Sequence, residues 1–105
     1  MTHPSTRIDD VVHQRVRLGI LALLEPAEDI DFQLLRDSLE LTDGNLSRHL
    51  QVLEDAGYLR IVKSFEGKRP RTRVSITREG RTALEAEVKA LRELVAGLGN
   101  GARKR

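Results

Sequence analysis

Residues 41–58, LTDGNLSRHLQVLEDAGY, contain one complete helix together with its start and stop signals. Thr42 is placed as the N-cap, because its hydroxyl can accept a hydrogen bond from a free N–H of the first turn. Gly57 is placed just past the last turn, where glycine commonly ends a helix. The apolar residues fall within about a third of the circumference, the width of a core-facing stripe. They are Leu46, Leu50 and Leu53.

The opposite face of this helix carries groups that pair with DNA bases. Arginine pairs with guanine, and asparagine or glutamine with adenine, in the major groove. Gly44 lets the backbone approach a phosphate, and the helix N-terminus attracts an anion. On this exposed face the acidic residues, Glu54 and Asp55, come only in the last turn, which suits a helix inserted by its N-terminal end. The candidate contacts are Gly44, Asn45, Ser47, Arg48 and Gln51.

Two helices are predicted upstream. Apolar residues at helical spacing run from Asp9, the expected N-cap, to Leu24, and Pro26 ends that helix. Residues 25–30 form a short acidic connection. Asp31 is expected to cap a second helix that has Phe32, Leu35 and Leu39 on one face. The tight turn before the third helix fits a helix-turn-helix unit.

After Gly57 the spacing of the apolar residues changes from helical to alternating, which indicates a β-hairpin with a basic tip. Leu59, Ile61 and Phe65 alternate with polar residues, as do Thr72, Val74 and Ile76. Between them lies the glycine- and proline-marked loop 66–71. Three residues near the tip are candidate contacts with the DNA backbone or minor groove, while Arg73 lies lower on the strand and Lys63 at the base. The three are Lys68, Arg69 and Arg71.

A last helix begins at Thr77 and has an apolar stripe at spacings of 4, 3, 4 and 3 from Leu84 to Leu98. That spacing is typical of a seam between helices. A chain of 105 residues has a small core, so the stripe is better buried against a second copy. A dimer would place two recognition helices about one DNA turn apart. The residues predicted at the dimer contact are Val12, Val16, Leu84, Val88, Leu91 and Val95.

Composition narrows the class of function. Residues 63–81 hold 7 Lys/Arg against 2 Asp/Glu, whereas residues 1–62 hold 6 against 11, which indicates a localised contact with a polyanion. The absence of cysteine removes disulfides and thiolate metal sites. The longest apolar run has 5 residues, far too few to span a membrane. We expect a cytoplasmic protein without a membrane segment or a secretory signal.

No catalytic, metal or cofactor site is predicted. His3, His13 and His49 share no metal-ligand spacing, and His49 is expected to pack at the core edge or bond a backbone group. Ser47 and His49 are two apart on a helix and point in different directions, so they are not a nucleophile and its base. The chain also has no glycine-rich phosphate loop. We therefore do not expect an enzyme.

The element order α-α-α-β-β-α predicts a mainly α fold with a two-stranded β-hairpin wing, a winged helix-turn-helix. The predicted domain is residues 8–96, with the C-terminal dimerisation helix at 77–96. Residues 1–7 and 97–105 are expected to be flexible tails.

The sequence also resembles a family of small bacterial and archaeal winged-helix DNA-binding regulators related to the MarR and ArsR groups. The resemblance covers about residues 8–96. It rests on residues 41–50, 53–58, 65–72 and 77–81, on Arg17-Leu18 and Ile20-Leu21, and on Asp31-Phe32.

This resemblance implies a homodimeric transcriptional regulator, expected to be a repressor on a palindromic operator in double-stranded DNA. By position it adds Thr42 to the recognition residues. Metal-sensing ArsR proteins carry a cysteine motif that this sequence lacks, so metal-responsive regulation is not expected. MarR proteins are longer and often bind small phenolic ligands between their dimer and DNA-binding parts, and this chain lacks much of that extra helical material. An unidentified small-molecule effector stays open as a partner. An alternative is a winged helix that docks protein in the transcription machinery, although the cations at 68, 69 and 71 disfavour it.

Overall fold

The computed structural model describes residues 10–103. Its helices and strands follow one another as α1 (Asp10–His13), α2 (Arg15–Leu24), β1 (Ile30–Asp31), α3 (Phe32–Ser38), α4 (Asp43–Asp55), β2 (Leu59–Glu66), β3 (Arg69–Ile76) and α5 (Arg78–Arg103). This is the predicted mainly helical winged-helix order with one additional strand.

The first predicted helix is interrupted at Gln14, which separates α1 from α2. The side chain of Gln14 serves as a new N-cap, since its Oε1 accepts from Val16 N at 2.8 Å and Arg17 N at 3.1 Å. A side-chain amide that satisfies free N–H groups makes this break possible within a periodic apolar pattern. The predicted cap Asp9 lies outside the described residues.

The helix-turn-helix has a positive-φ residue after each of its two helices. Gly57 follows α4 with φ of +82°, and Gly57 N and Tyr58 N bond back to Glu54 O and Leu53 O at 2.9 Å each. This pair of bonds is the Schellman motif and confirms the predicted stop. Glu40 has the same role after α3, with φ of 53°, and the sequence pattern did not indicate it.

The sheet has three strands in the order β1-β3-β2, all antiparallel, and not the predicted two. β1 pairs only Ile30 with Val74 and Asp31 with Arg73. Two residues are too few to show an alternating pattern, so residues 25–30 looked like a plain connection. The hairpin is also longer than predicted, because Glu66 pairs with Arg69 and only Gly67 and Lys68 form the turn.

The core lies where α2, α3 and α4 meet the base of the hairpin and the first half of α5. Leu46, Leu50 and Leu53 are buried there, as the helical stripe predicted. In α2 the buried residues are Ile20, Leu21 and Leu24, whereas Leu23 is on the surface edge. The other apolar residues of the core are Val12, Leu35, Leu59, Val74 and Leu84.

α5 runs to Arg103, past the end at residue 96 that the glycines had predicted. The flexible tail predicted from residue 97 is therefore helical to Arg103. Glycine weakens a helix by about 1 kcal/mol per residue but does not break its hydrogen-bond ladder, so spaced glycines are a poor stop signal. Residues 104–105 lie outside the described part, as do residues 1–7.

Candidate nucleic-acid interface

The N-terminal half of α4 presents a polar surface. Thr42 precedes the helix and caps it, since Thr42 Oγ1 accepts from Asn45 N at 3.2 Å. Burial of the leucine stripe turns the opposite side of α4 outward. All six residues proposed from the sequence are exposed on or beside this helix, and they are Thr42, Gly44, Asn45, Ser47, Arg48 and Gln51.

Arg36, at the end of α3, holds the start of α4. Its Nη1 donates to Asp43 Oδ1 at 2.7 Å, and its Nε donates to Asp37 Oδ1 at 3.1 Å. These hydrogen bonds, that to Asp43 first, raise the pKa of Arg36 and keep it charged. The pair ties the two helices together at the edge of the polar surface. Sequence reasoning missed it, because residues seven apart across a turn follow no helical spacing.

Gln51 is held by the last turn of α4. Its Nε2 donates to Asp55 Oδ1 at 2.8 Å, an i to i+4 bond along the exposed side of the helix. The acidic end of α4 therefore orients one of the candidate base-reading side chains.

His49 lies half-buried beside α2. Arg17 Nη1 is 3.4 Å from His49 Nδ1, and Arg17 Nε donates to Val11 O at 2.5 Å. Desolvation first, and then the charges of Arg17 and Arg48, lower the pKa of His49. The imidazole is therefore neutral at neutral pH. The predicted place at the core edge is right, while its neighbour Arg17, 32 residues away, had no sequence signal.

The cations of the hairpin fall into two groups. Arg73 Nη1 lies 2.8 Å from Asp29 Oδ1, and Arg71 is paired with Glu66 and lies 3.3 Å from Asp31 Oδ1 through its Nε. The bond to Glu66, and then its charge, raise the pKa of Arg71. Within residues 10–103, by contrast, Lys68 and Arg69 form no ion pair.

Asp31 thus has a different role from the predicted one. It precedes α3 at the N-cap position, but its side chain makes no capping hydrogen bond and faces Arg71 instead. Asp31, in the strand that the sequence did not reveal, and Asp29, just before that strand, neutralise part of the basic block.

A cleft separates α4 from the hairpin and joins the two candidate surfaces. Ser47 and Gln51 line it from α4, and Lys63 and Thr72 line it from the hairpin. The structure therefore places the amide and hydroxyl groups of the helix next to a lysine of the hairpin. α4 can therefore enter a groove of a nucleic acid, with the basic hairpin beside it.

The sequence pattern of the winged helix DNA-binding domain matches residues 16–95. The chain belongs to this family. The match spans α2 to most of α5 and confirms both the predicted resemblance and the predicted fold. Family and fold point to a DNA-binding regulator and not to an enzyme.

One sequence relative and two solved structures are similar to this winged-helix protein. An uncharacterized protein of Methanocaldococcus jannaschii, MJ0432, is 44% identical over 70 residues, which are 67% of this chain and 76% of the relative. The structure of a transcriptional regulator homologue from Pyrococcus horikoshii OT3 is 35% identical, with a TM-score of 0.79, and the match covers 84% of this chain and 87% of that one. A structure from Enterococcus faecalis V583, assigned to the MarR family of transcriptional regulators, is 19% identical with a TM-score of 0.69, over 90% and 84% of the two chains. This last likeness shows the fold alone.

The residues predicted at a dimer contact divide between the inside and the outside of the winged-helix domain. Val12 and Leu84 are buried in the core of one chain, so the contact predicted for their side chains is not available to a partner. Val16 is half-buried against the same core. Val88, Leu91 and Val95 line an apolar groove along α5, and Val95 is 65% exposed.

The described part of the chain also bears on metal sites and on membrane insertion. Among residues 10–103 with described side chains, no three His, Cys, Asp or Glu residues are grouped as a metal site would need. Within the same part, every helix is too short or too polar to cross a membrane.

Proposed function

We propose that this winged-helix protein binds specific sequences of double-stranded DNA as a homodimer and represses transcription from a palindromic operator. The observation that carries the proposal is the exposed polar half of α4 beside two cations, Lys68 and Arg69, that have no carboxylate partner in the described chain. The relative from Pyrococcus horikoshii, a transcriptional regulator homologue, supports the regulatory part.

The base contacts are assigned to α4 in the major groove. Arg48 is exposed and suits a bidentate contact with guanine, while Asn45 and Gln51 suit adenine. Thr42 and Ser47 flank them and suit phosphate or base edges. A Cβ on Gly44 would meet no described atom within 4 Å, so the free chain needs no glycine there. A close approach of backbone to phosphate would explain it.

The phosphate contacts are assigned to the wing. Lys68 and Arg69 are ready to meet phosphates, and each phosphate neutralised steepens the salt dependence of binding by about 0.9 of a log–log unit. Arg71 is a proposed contact of a different kind, because it must first exchange Glu66 or Asp31 for a phosphate.

The homodimer is assigned to α5. Beyond the core its apolar side faces solvent at Val95 and Leu98, the latter 71% exposed. Pairing of two such helices removes this surface from water and relates the two α4 helices by a twofold axis. A twofold arrangement of recognition helices matches a palindromic site.

Repression follows from occupancy, because a dimer that covers two half-sites of a promoter excludes other proteins from that DNA. A small-molecule effector could bind next to α5, the proposed dimer helix. An apolar groove between α2 and α5, lined by Leu18, Ala22 and Val88 among others, adjoins the proposed dimer surface.

The DNA-binding part is tested by a mobility shift with genomic fragments that include the promoter of its own gene. We expect wild-type protein to retard a subset of fragments, and Arg48→Ala to weaken that binding by about tenfold, since one good base contact is worth 1–3 kcal/mol. Arg78→Ala is the matched control: it removes the same charge from an exposed residue at the start of α5. No retarded fragment at low salt, or equal loss in both variants, would contradict the proposal. Recovery of a stoichiometric protein partner after DNA digestion would favour the protein-docking alternative.

The dimer is tested separately by sedimentation or light scattering. We expect wild-type protein to be a dimer at micromolar concentration and Val95→Glu to be a monomer, because the substitution places a charge in the apolar contact. Ala86→Glu introduces the same charge on the opposite side of α5, nine residues away, and should leave the dimer intact. A monomeric wild-type protein would contradict the assignment of the dimer contact to α5.

A further inference from the structure

Phe65 is the most exposed of the large apolar side chains that the structure describes, at 75% of its surface. It lies at the end of β2, directly opposite Pro70 of β3. A cross-strand pair of this kind places the two side chains on the same face of the hairpin. The wing therefore ends in an aromatic ring beside a proline, next to the Gly67–Lys68 turn.

The alternation of the strands shows which face carries this ring. Lys63 is two residues before Phe65 on β2, and it pairs with Thr72 as Phe65 pairs with Pro70. Residues two apart on a strand share a face, at a distance of about 6.7 Å. Lys63 and Thr72 line the cleft that Ser47 and Gln51 line from α4. Phe65 thus continues the face of the wing that looks across the cleft toward the candidate base-reading residues.

The charges around Phe65 favour a polyanion as its partner. Lys63 shares the face of Phe65, and Lys68 lies in the adjoining turn; within the described chain neither forms an ion pair. Arg69, likewise without an ion pair there, pairs with Glu66 and so lies at the tip on the opposite face of the hairpin. The carboxylate of the neighbouring Glu66 is taken by Arg71. An exposed aromatic ring with one cation on its own face and others at the adjoining tip suits the minor groove of DNA, whose walls are apolar deoxyribose edged by phosphates.

We propose that the Phe65 ring, supported by Pro70, enters the minor groove next to the α4 site and contacts its deoxyribose walls and base steps. Apolar wedges of this kind are common among proteins that use the minor groove. The proposal rests on the DNA binding proposed above and adds a residue to it. An apolar contact releases no counterions, so its contribution to affinity should not depend on salt.

The experiment uses a DNA duplex that the wild-type chain has selected from a random-sequence pool. We expect Phe65→Ala to weaken binding by about tenfold at every salt concentration, with the log–log salt slope unchanged. Phe65→Leu keeps an apolar side chain and should lie between the two. Val62→Ala is the control, because Val62 is exposed on the opposite face of the same strand.

A hydroxyl-radical footprint provides a second readout, since these radicals attack deoxyribose in the minor groove. Wild-type protein should protect sugars beside the α4 site, and Phe65→Ala should lose only that protection. Unchanged affinity and footprint in Phe65→Ala, or a loss that also lowers the salt slope, would overturn the proposal. The proposal would also be overturned if Phe65→Ala kept full DNA binding but lost a protein partner that the wild-type chain binds. A wild-type chain that selects no duplex would instead contradict the proposed function itself.

Discussion

The two halves of the proposed interface, the polar face of α4 and the basic wing, differ in how much of their sequence chemistry is available at the surface. α4 exposes all six predicted residues. Within the described part of the chain, Thr42 caps the helix and Gln51 bonds Asp55, and the other four have no hydrogen-bonded side chain. In the wing, Arg71 and Arg73 form ion pairs with acidic residues, whereas Lys68 and Arg69 form none with any residue that the structure describes. A count of basic residues therefore overstates the charge of the wing. The electrostatic contribution of the wing to DNA binding depends on the number of cations without a carboxylate partner.

The largest effect is expected where the wing joins α5 and the end of α4. A Cβ at Gly80 would lie 2.0 Å from Tyr58 O, an overlap with backbone that a side-chain shift cannot relieve. Gly80→Ala should therefore lower the free energy of unfolding by about 3 kcal/mol, measured by urea denaturation. Gly44→Ala is the matched control at an open helix position and should leave stability equal or raise it by about 0.5–1 kcal/mol. Equal stability of Gly80→Ala and wild type would show that the wing base is not packed as described.

The difference within the wing is sharpened by paired arginine variants. Arg69→Ala should reduce the log–log salt slope of DNA binding by about 0.9, because it removes one phosphate contact. Arg71→Ala should reduce it less, since its charge is already opposed by Glu66 and Asp31. Asp31→Asn should steepen the slope, because it removes one of the two carboxylates that oppose Arg71. Filter binding over a salt series measures all three, and equal slopes for the two arginine variants would erase the distinction.

The positive-φ residues after α3 and α4 provide a smaller test on the helix side. Glu40 adopts φ of 53°, a conformation that disfavours side chains with a Cβ by about 1 kcal/mol. Glu40→Gly should therefore stabilise the domain by up to about 1 kcal/mol. The reverse exchange, Gly57→Ala at φ of +82°, should destabilise it by a similar amount. Thermal unfolding of both variants checks the prediction, which is wrong if they shift stability in the same direction.

The smallest effect concerns His49, on the inner side of α4. Its pKa is lowered from 6.5 in the folded chain by burial and by Arg17 and Arg48, so the unfolded chain takes up this proton first. The resulting contribution to stability is complete above pH 6.5 and is lost as pH falls through that value toward the folded pKa. Urea denaturation across this range should show the decline, and His49→Gln should flatten it. A wild-type curve as flat as that of the variant would contradict the assignment.

How much could be predicted from the sequence differs between α4 and the sheet. The Thr42 cap, the leucine stripe and the Gly57 stop of α4 are all signals within one or two helical turns, and the structure confirms each. The loop predicted for the hairpin is too wide, because proline is typical of turns and yet Pro70 lies in β3. The break at Gln14 was missed because a glutamine side chain at an N-cap leaves no periodic trace.

The sequence by itself determined the winged-helix order, the buried stripe of α4 and the residues on its polar face, because those features depend on neighbours a few positions apart. Only the tertiary structure decided which cations are free. The pairing of Arg73 with Asp29 joins residues 44 apart, and Arg17 meets His49 across 32 residues. Such contacts depend on the path of the whole chain, which brings β1 to the edge of β3 and α2 against α4. The face on which Phe65 stands was decided in the same way, by the register of the hairpin.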